Sequence, residues 1–385
     1  MPPKSKQPAA KASAKPAAAA ASHDSDFSDD DSSDKKGVSE DDLLPKDVVP
    51  LNYSLRLCPN YTDWTFSARL LVSLRIDADT DQIQFNAADL DIDEAFLSTH
   101  ASGKLEPTRI NHDEEEEVTT LRFNEVLPRG EVELVLIYRG KIRSDMTALY
   151  RSSYEHAGKR ETVLVTQFEA CDARRCLPCW DEPARKATFV LTLLIPPELQ
   201  AVSNMPVRTS RVVNAAEELP ADRADAMGWT EVAFDPTPVM SSYLLAFAIG
   251  RFSSVQRSTA TGTIVRILVP IGRDSEHTPS TGFALDLSVR CLEFYSQYFE
   301  IAYPLPKLDL IAIPDVANVA MENWGLITFS ETSLLVHPQD GSQSGRQYAA
   351  WVIAHEIGTD AHAAQSSFCL QSNIARSSSR GSSSC

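Results

Sequence analysis

The sequence predicts a mainly β protein: a large antiparallel β domain followed by the start of a mixed α and β domain. Apolar residues alternate with a period of two from about residue 43, which is typical of half-buried strands. After about residue 250 the apolar residues instead recur every three or four positions, as in helices. With 385 residues and 43% hydrophobic content, the chain has enough apolar side chains for two or three domains.

Residues 1–42 are predicted to be a disordered tail. The tail is rich in Lys, Ala and Pro and then in Ser and Asp, with one aromatic residue and almost no aliphatic ones. So little apolar surface cannot offset the entropy lost on ordering. Alanine stands where a secretory signal needs Leu, Ile or Phe, and the acidic run argues against a transit peptide. We therefore expect a cytoplasmic protein.

Composition excludes several classes of partner. The formal net charge of −17 disfavours nucleic acid and anionic membrane surfaces. Since no apolar run reaches about 18 residues, no membrane insertion is expected. The seven cysteines lack the spacing of a disulfide framework, so free thiols are expected. Cys176 and Cys179 have the C-x-x-C spacing of a metal knuckle or a redox pair. A metal knuckle would need a second C-x-x-C or a histidine pair, and neither accompanies this motif. We therefore interpret Cys176 and Cys179 as ordinary buried thiols.

Strands between residues 43 and 250 are predicted from alternation. In ARLLVSLRID, Leu70, Val72 and Leu74 share one face while charged and polar residues occupy the other. A turn at Pro128-Arg129-Gly130 precedes a second alternating run, EVELVLIY. Further strand-like runs are TFVLTLLIP, TEVAFD, SYLLAFAIGRF and TIVRILVP. Short strands separated by turn residues indicate antiparallel sheets.

The second domain is predicted over residues 251–360. Apolar residues spaced three or four apart predict an amphipathic helix over 282–300, and LDLIAIPDV and ENWGLITFS are predicted to be buried strands. Residues 346–357 are apolar nearly all round, which is typical of a buried helix. Residues 361–385 contain nine serines and no acidic residue. We interpret them as a low-complexity tail that does not continue the domain.

Three short motifs carry the candidate chemistry. They are Gln167-Phe168-Glu169-Ala170, Ala320-Met321-Glu322-Asn323 and His355-Glu356. The last opens like H-E-x-x-H, in which two histidines one helical turn apart bind zinc and the glutamate acts as base.

With these motifs in this order, the chain resembles the zinc aminopeptidases of the puromycin-sensitive aminopeptidase and aminopeptidase N family. The similarity runs from about Leu44 to Gly358 and includes LPKDVVPLNY, MSSYLLAFAIGRF and YPLPKLDLIAIPD. The resemblance implies a β-saddle domain over 43–250 and the incomplete start of an α+β thermolysin-like domain over 251–360. It also implies a zinc-dependent peptide hydrolase that removes N-terminal residues from peptides with a free N-terminus.

The resemblance also assigns substrate-binding roles. Glu322 and Glu169 correspond to two carboxylates that hold the α-ammonium group of the substrate, and Gln167 to a residue lining the pocket for the first side chain. In the motif Ala320-Met321-Glu322-Asn323, the backbone of the first two residues would pair with the substrate as an added strand. Two carboxylates suit this task because an ammonium group must be neutralised when it leaves water.

The same resemblance makes His355 the first ligand of one zinc ion and Glu356 the general base. In such a site zinc activates a water molecule and polarises the scissile carbonyl group.

The sequence departs from the family pattern at several positions. Val319 replaces the glycine that opens the exopeptidase motif, and Thr359 stands where the second histidine ligand is expected. After Asp360 no acidic residue remains to supply the third ligand. We therefore expect a truncated chain that retains no zinc and is inactive in this form. The alternatives are an unusual ligand set using His362, a non-catalytic binding or interaction module, and the product of a faulty gene model.

Overall fold

The computed structural model describes residues 43–99, 103–214, 227–336 and 343–378, the last of these by backbone alone after residue 360. The tail predicted over residues 1–42 lies outside the described residues. The strands are β1 (Val48–Asn60), β2 (Thr65–Ile76), β3 (Gln82–Asn86), β4 (Leu90–Thr99), β5 (Gly103–Leu105), β6 (Arg109–Asp113), β7 (Val118–Arg122), β8 (Gly130–Lys141), β9 (Ala148–His156), β10 (Lys159–Gln167), β11 (Thr188–Ile195), β12 (Gln200–Ser203), β13 (Val207–Asn214), β14 (Met227–Phe234), β15 (Phe247–Gly250), β16 (Phe252–Ser258), β17 (Ile264–Pro270), β18 (Lys307–Ile313), β19 (Ala320–Met321) and β20 (Leu326–Ser330). The helices are α1 (Asp274–Tyr298), α2 (Glu331–Leu334) and α3 (Gln343–Ser378), and short 3-10 helices span Ala173–Arg175 and Ser242–Leu244.

The strands before residue 250 form three sheets. An eight-stranded sheet has the order β13-β14-β11-β1-β2-β8-β4-β5, a four-stranded sheet has the order β12-β15-β10-β9, and β3, β7 and β6 form a smaller sheet. Pairing within them is antiparallel except between β1 and β11, which are parallel. The apolar face of β2 is fully buried at Leu70, Val72 and Leu74, as the alternation predicts.

The strands after residue 250 form a separate five-stranded sheet, β16-β17-β18-β20-β19. β18 is parallel to both β17 and β20, and β19 lies at the edge, antiparallel to β20. Every residue of β18 is buried, in agreement with the predicted buried strand. The fold class is therefore as predicted: mainly β, followed by the start of a mixed domain.

Three elements differ from their predicted limits. The predicted helix over 282–300 begins earlier, at Asp274. The predicted strand SYLLAFAIGRF is divided: residues 242–244 form a 3-10 helix before β15 begins. The helix predicted over 346–357 runs on as α3 to Ser378, so the backbone continues as a helix into the predicted low-complexity tail. The proposed boundary near residue 250 falls between β15 and β16, which belong to different sheets.

A shared apolar layer joins the four-stranded and five-stranded sheets. Val163 and Val165 of β10 pack there with Ile311 and Ile313 of β18, all of them buried. The large core of the first three sheets also includes Met321 from β19, together with residues that flank β18 and β20. Motif residues 320–323 therefore lie where the two parts of the chain meet.

Ile311→Ala is expected to lower the free energy of unfolding by about 2–4 kcal/mol, because Ile311 is completely buried between the two sheets and its removal leaves a cavity. Urea unfolding measures the change. Val255→Ala is the control: Val255 on β16 is 36% exposed, and the substitution should cost under about 0.5 kcal/mol. Equal effects of the two substitutions would show that the shared layer does not stabilise the fold.

Candidate active site

Glu169 lies on a turn directly after β10. Gln167 ends that strand opposite Ala148 of β9, and Phe168 is completely buried in the large core. The backbone N–H of Asp172 donates to the carbonyl oxygen of Phe168 at 2.9 Å, which closes the turn. Because Phe168 is buried in the core, it fixes the backbone position from which the exposed side chain of Glu169 extends.

Asp181 joins this turn to a second segment. Its Oδ2 accepts hydrogen bonds from the backbone N–H of Arg174, at 3.3 Å, and from Arg174 Nε, at 3.1 Å. Its Oδ1 accepts from Ser242 Oγ at 2.6 Å. Ser242 begins the 3-10 helix that carries Tyr243. One buried carboxylate thus holds together the segments that bear Glu169 and Tyr243.

Glu322 follows the edge strand β19. Ala320 pairs with Phe329 of β20, and Met321 pairs with Thr328. Met321 is 1% exposed and packs in the large core, whereas Ala320 packs against the core of the five-stranded sheet. β19 has a hydrogen-bonded neighbour on one side only within the described residues, so its other edge is open to an added strand.

Asn323 and Val319 flank this strand. Asn323 is 1% exposed, and its Nδ2 donates to Thr328 Oγ1 at 3.4 Å. Val319 is 46% exposed and is not among the residues with positive φ. Its carbonyl oxygen accepts hydrogen bonds from the backbone N–H of Ser330, at 3.0 Å, and from Ser333 Oγ, at 2.8 Å. Valine therefore occupies the expected glycine position without backbone strain or a buried clash.

His355 and Glu356 lie on α3, on different faces. Glu356 is 7% exposed, whereas His355 is exposed and stacks on Trp351, with ring centroids 5.7 Å apart. Thr359 Oγ1 donates to the carbonyl oxygen of His355 at 3.0 Å. The helix continues without a break through Gly358.

The three carboxylates lie close enough to affect one another. Burial raises the pKa of Glu356 to about 7, and the charges of Glu322 and Glu169 contribute to the shift. Burial, followed by the charge of Glu322, also raises the pKa of Glu169. Residues that directly follow β10 and β19, and one from α3, therefore converge on one site, although their motifs are far apart in the sequence.

Tyr243 belongs to the same site and was missed by the sequence analysis. Burial raises the pKa of its hydroxyl group, and Glu322 and Glu169 raise it further. It lies in MSSYLLAFAIGRF, a run that the sequence analysis used only as a predicted strand and as part of the family resemblance. The 3-10 helix that presents Tyr243 depends on hydrogen bonds from distant residues, so no local pattern indicated it.

A second buried carboxyl group lies one turn after Glu356. Asp360 is completely buried, and its Oδ2 accepts a hydrogen bond from Tyr303 Oη at 2.8 Å. Its Oδ1 has no hydrogen-bond partner among the described residues. Burial raises the pKa of Asp360 to about 8, while Tyr303, the Gly325 backbone and the Lys307 ammonium group oppose that rise.

The zinc ion implied by the resemblance does not fit the residues present. Thr359 lies one turn after His355, where the second zinc-binding imidazole would be required. Its hydroxyl group instead donates a hydrogen bond to the carbonyl oxygen of His355. Because α3 is continuous, position 362 lies about 10.5 Å further along the helix axis than His355. Within the described part of the chain, no group of three or more His, Cys, Asp or Glu residues could hold a metal ion. We therefore derive no step through a metal ion.

An edge strand, an acidic cluster and a helical His-Glu pair thus lie at the junction of a β domain and a mixed sheet, which is the arrangement that the resemblance to a peptidase implies. The family comparisons agree. The Peptidase M1 N-terminal domain matches residues 49–244, and the Peptidase family M1 domain matches residues 283–362, past Gly358. The chain belongs to the M1 peptidase family, which confirms the resemblance and places it by family among the metallopeptidases.

Its relatives carry aminopeptidase names. Aminopeptidase M1 of Arabidopsis thaliana is 41% identical over 317 residues, which cover 82% of this chain and 34% of that protein. Puromycin-sensitive aminopeptidase of Caenorhabditis elegans is 35% identical, over 82% of this chain and 32% of that protein. This chain therefore spans about a third of both. Aminopeptidase N of Acetobacter pasteurianus is 34% identical, over 82% of this chain and 83% of that protein.

No helix in the described parts of the chain is both long and apolar enough to cross a membrane.

Proposed function

We propose that this chain recognises the free N-terminus of peptides, as the substrate-binding part of a zinc-dependent aminopeptidase lineage, and that in this form it binds peptides without cleaving them. The observation that carries the proposal is the convergence of Glu169, Glu322 and Glu356. Glu169 and Glu356 both have a pKa raised by burial and by neighbouring carboxylates. A peptide ammonium group would relieve that repulsion.

The proposed binding mode uses three elements. Glu169 and Glu322 accept hydrogen bonds from the α-ammonium group, and such charge-assisted bonds are stronger than neutral ones. The backbone of Ala320 and Met321 pairs with the peptide as a further strand at the open edge of the sheet. Gln167 lines the pocket for the first side chain, and its Nε2 is buried without a hydrogen-bond partner among the described residues.

The catalytic step proposed for the lineage is metal-assisted hydrolysis with Glu356 as base and His355 as a zinc ligand. Among the residues that the structure describes, no ligand set fits zinc, so His355 and Glu356 are proposed as remnants of that step. Binding of an N-terminus needs only the carboxylates and the edge strand. We also propose that residues 43–250 form one domain and residues 251–360 belong to a second.

A cytoplasmic location is also proposed. It is supported by the cysteines, because Cys176 and Cys179 are buried free thiols. Burial raises the pKa of Cys179, as expected of an inert structural cysteine. Free thiols are typical of proteins in a reducing compartment. Fractionation of cells that express the full chain tests the location, and recovery in the secreted fraction would contradict it.

Glu169→Gln and Glu322→Gln are each expected to weaken binding of L-leucinamide about 10–100-fold, because each removes a charge-assisted hydrogen bond worth about 1.5–3 kcal/mol. NMR titration of the full chain measures the affinity. N-acetyl-L-leucinamide, which has no ammonium group, should bind equally to all variants. Glu133→Gln on β8 removes one exposed carboxylate from a different part of the protein and should have no effect. Equal affinity of the wild-type chain for the two ligands would refute the proposal.

A further inference from the structure

Asn204 is a buried asparagine between the two parts of the site. It follows β12 in the four-stranded sheet and is 1% exposed. Its Nδ2 donates to the carbonyl oxygens of Leu244, at 2.7 Å, and of Trp324, at 2.8 Å. Its Oδ1 accepts from the backbone N–H of Ala246 at 2.9 Å. Both polar atoms of the amide are therefore used.

The partners of Asn204 lie beside the residues that surround the proposed ammonium site. Leu244 directly follows Tyr243 in the 3-10 helix, and Trp324 lies two residues after Glu322. An amide of this length suits the position because it supplies two donors and one acceptor. Aspartate would lack the donors, and an apolar side chain would leave three buried backbone groups unpaired.

A second set of contacts supports the same turn. Lys307 Nζ donates to the carbonyl oxygens of Gly325, at 2.7 Å, and Ser203, and lies 2.7 Å from Asp309 Oδ2. Gly325 has a φ of +79°, and a Cβ atom there would lie 2.5 Å from the carbonyl oxygen of Asn204. Segments 203–204 and 324–325 therefore pack backbone against backbone, which leaves the turn after Glu322 little freedom to shift.

We propose that Asn204 is a positioning residue that fixes Glu322 relative to Glu169 and Tyr243 and thereby sets the spacing of the ammonium site. This inference rests on the proposed function. Glu169 and Tyr243 come from the first part of the chain, and Glu322 comes from the second. The Asn204 side chain bonds to both the Tyr243 segment and the Glu322 turn. Loss of the amide leaves Glu169, Glu322 and Tyr243 unsubstituted but removes the hydrogen bonds that keep them aligned.

The test compares the affinities of Asn204 variants for L-leucinamide and N-acetyl-L-leucinamide by NMR titration of the full chain. For Asn204→Ala, we expect L-leucinamide to bind at least about tenfold more weakly, since misaligned carboxylates lose charge-assisted hydrogen bonds. N-acetyl-L-leucinamide should bind as it does to the wild type. Asn204→Ser keeps one donor and one acceptor and is expected to show a smaller loss. Thermal unfolding confirms that each variant is folded at the titration temperature.

Asn52→Ala is the matched control. Asn52 Nδ2 donates to Thr188 Oγ1 at 2.7 Å and to the Thr188 carbonyl oxygen at 3.4 Å, so the control loses both hydrogen bonds of a part-buried amide in the eight-stranded sheet. Its partner is not part of the site. We expect lower stability and unchanged preference for L-leucinamide.

A double mutant separates positioning from general damage. If Asn204 acts through Glu322, Asn204→Ala combined with Glu322→Gln should bind L-leucinamide no more weakly than Glu322→Gln alone. Additive losses would overturn the inference, as would an unchanged ligand preference in both Asn204 variants or a failure of both to fold while Asn52→Ala folds. A wild-type chain that does not prefer L-leucinamide would refute the proposed function itself.

Discussion

Dialysis against zinc buffer is expected to leave this chain with well below one equivalent of zinc, and an N-terminal aminoacyl reporter is expected to remain uncleaved. Zinc in a hydrolase needs three protein ligands that converge on one point. His355 is exposed and stacked on Trp351, and Thr359 donates its hydrogen bond to the helix backbone. Metal analysis of wild-type chain and His355→Ala should therefore give the same low value.

Thr359→His provides the positive control. On a continuous helix, residues four apart lie about 6 Å apart on one face, so the substitution places a second imidazole within reach of a metal bound to His355. We expect zinc retention to rise and to be lost again in Thr359→His combined with His355→Ala. Near-stoichiometric zinc in the wild type, removed by both His355→Ala and His362→Ala, would instead establish the unusual ligand set.

The half-buried strands were the most predictable part of the fold, because one face of such a strand is buried and the other is not. In β2 the buried Leu70, Val72 and Leu74 alternate with partly or fully exposed residues, so the alternation in the sequence predicts the strand and its buried face. In SYLLAFAIGRF almost every residue is apolar, so the run has no apolar–polar periodicity that would distinguish a strand from a helix. Its 3-10 helix is held by Asp181 and Asn204, through hydrogen bonds that no local window of sequence contains.

The candidate site was only partly predictable. Glu169, Glu322 and Glu356 came from separate motifs that were linked by the resemblance, and nothing in their spacing shows that they meet. Tyr243 and Asn204 were missed because their roles depend on contacts with distant segments. The prediction that Thr359 interrupts the zinc motif rests on the spacing of ligands along a helix, which follows from helix geometry alone.

Asp360→Asn is expected to remove the larger part of a pH dependence of stability that the wild-type chain shows between about pH 4 and pH 8. Glu356, whose pKa is raised to about 7, contributes a further part in both chains. The pKa of Asp360 is raised from 3.8 to about 8, mainly by burial. Between these values the folded chain keeps a proton that the unfolded chain has lost. Stability is therefore full at low pH and falls as pH rises, by up to about 5 kcal/mol from this group. Urea unfolding across that pH range measures the change.

Asparagine stays neutral and has nearly the shape of protonated aspartate, so it should still accept the hydrogen bond from Tyr303. At pH 8 the variant should be a few kcal/mol more stable than the wild type, and at pH 4 the two should be similar. Lys307 and Glu322 also influence Asp360, and both are unchanged in this comparison. Asp77→Asn serves as the control because Asp77 is exposed beside Arg75, and its loss should leave the fall in stability intact. If the curves of wild type and Asp360→Asn run parallel from pH 4 to pH 8, the buried carboxyl group is not the source of the pH dependence.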